Sequence, residues 1–114
     1  MSRHDDQVSL RQMLEFAEEA VDLADGRSRS DLDLDRPFAL SVLHLVQLVG
    51  EAARRVSAAT REANPHIRWL DAVGMRSRIV HAYDAVDFNV VWETLQLDLP
   101  RLIAQLRLTL DRKT

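Results

Sequence analysis

The sequence predicts an all-α protein, an antiparallel four-helix bundle with one short additional helix. Three observations predict it. Only three Gly and three Pro occur in 114 residues, a poor supply of turn formers for a sheet with many hairpins. Apolar residues make up 46% of the chain and aromatics only 5%, which describes a core of Leu, Val, Ala and Ile. Apolar positions also recur at three- and four-residue steps, the period of one helical face. The length suits one domain spanning residues 1–114.

The first helix is expected over about Asp5 to Ala24. Leu10, Met13, Leu14, Ala17, Ala20 and Val21 share a face, and Gly26 is a plausible stop. Residues 26–36 are polar and read as an exposed connection. Their alternating Asp-Leu pattern would suit a strand, but no partner strand is available to pair with it. Pro37 opens the second helix, expected to reach Thr60. From Phe38 to Val49 this helix is apolar almost all round, as for a helix buried on several sides. Gly50 lies inside it at a propensity cost of about 1 kcal/mol relative to Ala, which implies close approach of another backbone.

Asn64-Pro65 breaks the chain, and Pro65 is placed to open a short turn through Leu70. A third helix is expected over about Asp71 to Ala85. Its stripe is Ala72, Met75, Ile79, Ala82 and Val86, spaced three, four, three and four. The fourth helix is expected from Phe88 to Leu110 with Asp87 as N-cap. Pro100 falls inside it and should disturb the helix near Gln96, because proline lacks an N–H and its ring meets the carbonyl four residues back.

Charge and composition exclude several classes. The net charge is −3, so a broad polyanion-binding surface is not expected, although a local basic patch is compatible with it. With no cysteine, disulfides and thiolate metal sites are ruled out. No His and carboxylate pair has zinc spacing and no Glu-x-x-His is present, so neither a metal nor another cofactor is expected. The N-terminus, MSRHDDQVSL, is charged and lacks an apolar run, and no stretch is long enough to span a membrane. A cytoplasmic location is the default expectation.

One segment carries chemistry. Arg76-Ser-Arg-Ile-Val-His81-Ala-Tyr83 places a permanent cation, a group that titrates near neutral pH and a phenol within eight positions. Arg binds and neutralises phosphate, His moves protons, and Tyr donates a hydrogen bond or receives a modification. The chemistry these groups suit is RNA cleavage without a metal. His81 would take the proton of a ribose 2′-hydroxyl or give one to the leaving oxygen. Arg76 would stabilise charge on the phosphate in the transition state, and Arg78 would help to hold the backbone. DNA lacks the 2′-hydroxyl and would not be cut this way. Spacing by itself leaves a second reading open, in which Arg76 and His81 are solvated and Tyr83 packs at the edge of the core.

On a straight helix Arg76 and Tyr83 are almost in line, whereas His81 lies about 140° around from Arg76. A working site then needs a wrapped Arg side chain, a helix that loosens near His81, or a second copy supplying its own motif. A two-fold homodimer would bring both motifs to one seam, and this is the expectation adopted.

The longer segment Val73-Gly-Met-Arg-Ser-Arg-Ile-Val-His-Ala-Tyr83 resembles the signature of the HepT-like proteins of the HEPN superfamily: Arg, four to six residues, then His, any residue and Tyr. Val91-Trp92 and Asp98-Leu-Pro-Arg-Leu102 look like that family's fourth-helix pattern, and Gln47-Leu-Val-Gly-Glu-Ala-Ala53 looks like its second. The resemblance runs from about Leu40 to Leu106, and residues 1–36 add only a compatible helix. It implies a dimeric all-helical ribonuclease, often the toxin of a toxin–antitoxin pair. The usual partner is a minimal nucleotidyltransferase of the MNT type, which can silence the toxin by attaching AMP to the motif tyrosine. By position, Arg76 and His81 would be the catalytic pair and Tyr83 the modified residue. Adenylylation there would add bulk and negative charge beside the RNA site. Ser77 departs from the family, which commonly has Asn or another polar residue after the Arg. Serine reaches less far and offers fewer groups. The alternative reading is therefore a non-catalytic helical dimer that binds a nucleotidyltransferase or a nucleotide.

Other residues carry weaker signals. Glu51 either orients Arg76 or His81 through an ion pair or is an exposed carboxylate. Arg54, Arg55, Arg61 and Arg68 form the remaining basic concentration; they either line an RNA path or, for most of them, read as solvated helix charge. His44, within the apolar run, reads as a core or interface histidine. His4 and His66 read as surface residues, and Trp69 and Trp92 as anchors of the core or of a dimer.

Overall fold

The computed structural model describes residues 5–81 and 85–111, with His81 described by its backbone alone. It is an all-α bundle, as the composition required. Helix α1 spans Asp6–Ala24, and its N-cap Asp5 accepts a hydrogen bond from the Gln7 N–H at 2.9 Å. Capping satisfies an N–H that has no partner within the helix. Leu10, Met13, Ala17 and Ala20 are fully buried along one face, the face that packs against α3 and α8. The helix stops at Asp25, and Gly26 turns the chain at φ 75°, a left-handed conformation that glycine adopts without a Cβ penalty.

The connection expected to be irregular holds a short helix, α2, Asp31–Leu34. Its Leu32 is buried while Leu34 stays exposed. The Asp-Leu alternation therefore marks one helical turn with a single inward leucine. Asp35 then caps α3, Arg36–Arg55, accepting from Phe38 N–H at 3.1 Å, with Pro37 in the first turn. The Arg27 guanidinium 2.9 Å away holds the Asp35 carboxyl below its ordinary range, helped by the Phe38 N–H.

Helix α3 ends at Arg55, not at Thr60. Val56 is extended, and Ser57 opens a separate helix α4, Ala58–Ala63. Two contacts fix this break. Asp6 accepts from the Ser57 N–H, the Ser57 hydroxyl and the Thr60 hydroxyl. Arg61 donates to the carbonyls of Ala53, Arg54 and Val56, which supplies partners for the orphan carbonyls at the end of α3. Arg61 is thus a structural cap, stacked over Trp69 at 5.8 Å.

Pro65 lies in a turn, and helix α5 starts later, at Trp69–Val73. The turn is held by the Trp69 indole donating to Asn64 O and by buried Asn64 itself, which donates to Thr60 O. His66 is half-buried and bonds Thr109 at 2.7 Å, so it is not the surface residue the sequence suggested. Gly50 shows why a glycine sits mid-helix in α3: a Cβ there would lie 3.4 Å from Ala72 O and 3.5 Å from Val73 O. α5 approaches α3 backbone to side, as that glycine implied.

The third helix is the main correction. It is interrupted at Gly74, continues as α6, Met75–Ile79, and then gives way to extended chain. Strands β1, Val80–His81, and β2, Ala85–Val86, pair antiparallel, with Val80 opposite Val86 and His81 opposite Ala85. Ile79 and Val80 are β-branched, a class that loses side-chain freedom in helices and fits pleated backbone. The Asp87 N–H closes the segment by donating to Ile79 O at 2.8 Å. Ala72, Met75 and Ile79 are buried as the stripe predicted. Val86 packs on the core from β2 rather than from a helical face. Ala82 lies outside the described residues.

The last helix begins as α7, Phe88–Glu93, with the Asp87 carboxylate accepting from the Asn89 and Val90 N–H groups. It passes through a π-helical turn, Thr94–Asp98, into α8, Leu99–Asp111. The disturbance predicted from Pro100 takes this form: the wider turn accommodates the ring and the missing N–H at the expected place. No helix among the described residues is long and apolar enough to cross a membrane.

Candidate functional site

Helix α6 is a single exposed stretch on a buried base. Met75 and Ile79 point into the core, 2% and 1% exposed. Arg76, Ser77 and Arg78 between them face outward. Because Gly74 precedes them, the α5–α6 junction can be tight: a Cβ at Gly74 would come within 3.0 Å of Leu70 O. The end of α6 sets where the motif histidine begins. With β1 starting at Val80, the backbone at His81 is extended, so the 140° separation expected of a continuous helix does not apply. The loosening of the helix near His81 is therefore present in the chain itself.

Arg76 lines a groove of ≈ 450 Å³ between α6, the β-hairpin and the first half of α3. Val46 and Ile79 form its buried floor, Leu40 and Leu43 one wall, and His44 and Gln47 the polar rim. No carboxylate among the described residues lines it. Among the described residues Arg76 holds no ion pair. An arginine with its fork uncommitted beside an apolar floor suits a phosphate carried by a partly apolar ligand.

Arg78 points to the other side of α6. Its guanidinium lies 3.5 Å from the Asp98 carboxylate, in a separate niche that also holds Arg68 and Arg101. Arg68 is paired in turn with Asp71 at 2.7 Å. The structure thus separates Arg76 from Arg78. Ser77 is exposed and makes no hydrogen bond among the described residues. Glu51 accepts from Gln47 Nε2 at 3.3 Å and pairs with neither Arg76 nor, among the described residues, any other cation. Tyr83 and the side chain of His81 lie outside the described residues.

The sequence reading missed part of this site. His44 is exposed on the groove rim, not a core histidine, and Leu40 is 50% exposed. The α3 segment 38–49 is therefore buried on all sides but one. The signal was present: positions 40, 43, 44 and 47 share one face at helical spacing, and that face carries two of the three polar residues of the apolar run, His44 and Gln47.

The chain resembles known proteins over most of its length. The family described as ribonuclease HepT-like matches residues 13–108, a span that includes both walls of the groove. A protein of Thermococcus cleftensis named "Probable ribonuclease HepT" is 30% identical over 98 residues, covering 82% of this chain and 89% of its own. A "Putative RNase" of Methanocaldococcus jannaschii is 26% identical over 102 residues, covering 90% and 84%. Another of that name, from Caldanaerobacter subterraneus, is 25% identical over 104 residues, covering 91% and 93%. No solved structure matches the chain.

Proposed function

The chain belongs to the ribonuclease HepT-like family, and from this premise we propose that it is a metal-independent endoribonuclease in which Arg76 and His81 act on one phosphodiester. The observation that carries this reading is the position of Arg76. It is exposed and uncommitted to any carboxylate among the described residues, at the edge of a groove, on a five-residue helix that ends just before the motif histidine.

His81 removes the proton from the ribose 2′-hydroxyl, or protonates the departing 5′-oxygen. The 2′-oxygen attacks the adjacent phosphorus, and the bond to the 5′-oxygen breaks. The products are a 2′,3′-cyclic phosphate and a 5′-hydroxyl end. Arg76 neutralises the charge that builds on the non-bridging oxygens. Two copies joined about a two-fold axis would place two such sites at a common cleft. In the same reading the chain is the toxin of a toxin–antitoxin pair, and an MNT-type nucleotidyltransferase silences it by attaching AMP to Tyr83. A nucleotide on that tyrosine adds charge of the same sign as the substrate within the motif.

The test is cleavage of RNA in the presence of EDTA by wild type and by His81→Ala. Wild type is expected to cut, and the variant to be slower by about 10²–10⁴-fold. Equal cutting by the two proteins would remove His81 from the mechanism.

A further inference from the structure

The groove at Arg76 does not stop at His44. A second hollow of ≈ 370 Å³ shares Leu40, Leu43 and Val86 with it and continues toward the start of α3, where Arg36 forms its far edge. The two adjoin along these shared side chains as one channel, with Arg76 at one end and Arg36 beside Asp33 at the other. Arg36 is exposed and holds no ion pair among the described residues. The carboxylates nearest to it in sequence have other partners: Asp33 lines the same hollow but pairs with Arg29 at 2.9 Å, and Asp35 pairs with Arg27 and caps α3. From Arg36 to His44 the channel follows α3 for about 12 Å at roughly 1.5 Å per residue. That is longer than one nucleotide of extended strand.

We propose that this channel holds single-stranded RNA, with Arg36 binding a backbone phosphate at one end, Arg76 binding the reacting phosphate at the other, and an unstacked base lying on Leu40 and Leu43 between them. The proposal rests on the ribonuclease reading and adds the path of the substrate. The pattern of side chains favours a nucleic acid strand over a purely apolar partner. Cations stand at the ends, where phosphates would lie, and apolar side chains stand between, where a base face would. His44 and Gln47 supply donors and acceptors for a base edge, the means by which unpaired bases are recognised. Glu51 gains a role in this arrangement. Gln47 Nε2 donates to its carboxylate, which fixes the amide and leaves the Gln47 carbonyl oxygen to accept from a base amine.

The probe is a fluorescent single-stranded oligoribonucleotide with 2′-O-methyl groups throughout, which binds but cannot undergo 2′-hydroxyl attack. Its affinity is measured across a salt series for wild type, Arg36→Ala, Arg36→Lys and Arg11→Ala. Arg11 is another exposed arginine, on α1, that lines neither part of the channel. Arg36→Ala should weaken binding and lower the slope of log affinity against log salt by about 0.7, the loss of one phosphate contact on a single strand. Arg36→Lys should keep the slope, and Arg11→Ala should match wild type. Unchanged affinity and slope in Arg36→Ala, or an equal loss in Arg11→Ala, would overturn the channel. Because this probe is not cut, a failed channel and a failed ribonuclease reading give different results. The first shows in binding, the second in EDTA-resistant cleavage that does not depend on His81.

Discussion

Arg76 and Arg78 stand two residues apart on the same short helix, yet they face grooves of opposite character. On the Arg78 side, α8 and the π-helical turn bring Asp98 to 3.5 Å, and the neighbouring Arg68 is tied to Asp71. On the Arg76 side, α3 presents Leu40, Leu43, His44 and Gln47, and no carboxylate among the described residues lines the groove. Exposed ion pairs stabilise a fold by only about 0–1 kcal/mol, so the Arg78 pairing is weak as a fold contact. Its effect is electrostatic: the carboxylate cancels the field that an incoming phosphate would feel. The difference teaches that availability, not residue type, marks the candidate anion site, and that the facing helix decides availability.

The comparison breaks most sharply in activity. Arg76→Ala should lower cleavage by about 10²–10³-fold, the usual loss when one donor to a developing oxyanion is removed. Arg78→Ala should change it by less than about fivefold, because that guanidinium is already partnered. Equal losses in single-turnover cleavage would erase the distinction between the two grooves.

A smaller effect tests how α3 and α5 hold α6 in place. Gly50→Leu should lower unfolding free energy by about 1–3 kcal/mol, through overpacking against the carbonyls of Ala72 and Val73. Gly50→Ala places its methyl at ordinary contact distance and recovers helix propensity, so it should stabilise by up to about 1 kcal/mol. Urea denaturation of the two variants measures both. Loss of stability in Gly50→Ala would show that the backbones are closer than 3.4 Å allows.

The smallest effect is expected at the far end of the channel, where Asp35 caps α3. Arg27, then the Phe38 N–H, hold its carboxyl below the ordinary value of 3.8. A depressed carboxyl contributes stability that is present above its unfolded value and lost as pH falls through the folded one. Asp35→Asn keeps a capping oxygen but loses the charge. Its melting temperature should therefore trail wild type at about pH 5, with the gap closing as pH drops below 3.8. A gap that stays constant across that range would mean the Arg27 pairing does not stabilise the fold.

Much of the fold was legible in the residues. The buried face of α1, the Asp87 cap, the close approach at Gly50 and the disturbance ahead of Pro100 each follow from a local rule that the packed structure obeys. The errors share one cause. At Arg55 and at Ile79 the helical pattern continues in sequence while specific contacts end the helix, and after Pro65 such a contact delays the next one. Asp6 and Arg61 stop α3, the Asn64–Trp69 bond delays α5, and pairing with Ala85 and Val86 turns the motif segment into a hairpin. Periodicity reports which face is apolar and carries no information about such specific contacts, whether they join distant residues, as Asp6 and Ser57, or near ones, as Asn64 and Trp69. The exposure of His44 was hidden for a related reason: an apolar run looks uniformly buried until the neighbours that leave one side open are known.

The sequence by itself determined that the chain is all-α and which positions form most of its aliphatic core, and it singled out Arg76, His81 and Tyr83 as candidates for chemistry. Composition, period and motif identity are local properties, so a linear reading recovers them. Only the tertiary structure decided which arginine of the motif stands uncommitted, that His44 and Gln47 share its groove while Arg36 lines the hollow beside it, and that the helix ends before His81. Those depend on which surfaces of α3, α8 and the hairpin meet across the bundle, and contacts between residues far apart in the chain are set by packing the whole molecule at once.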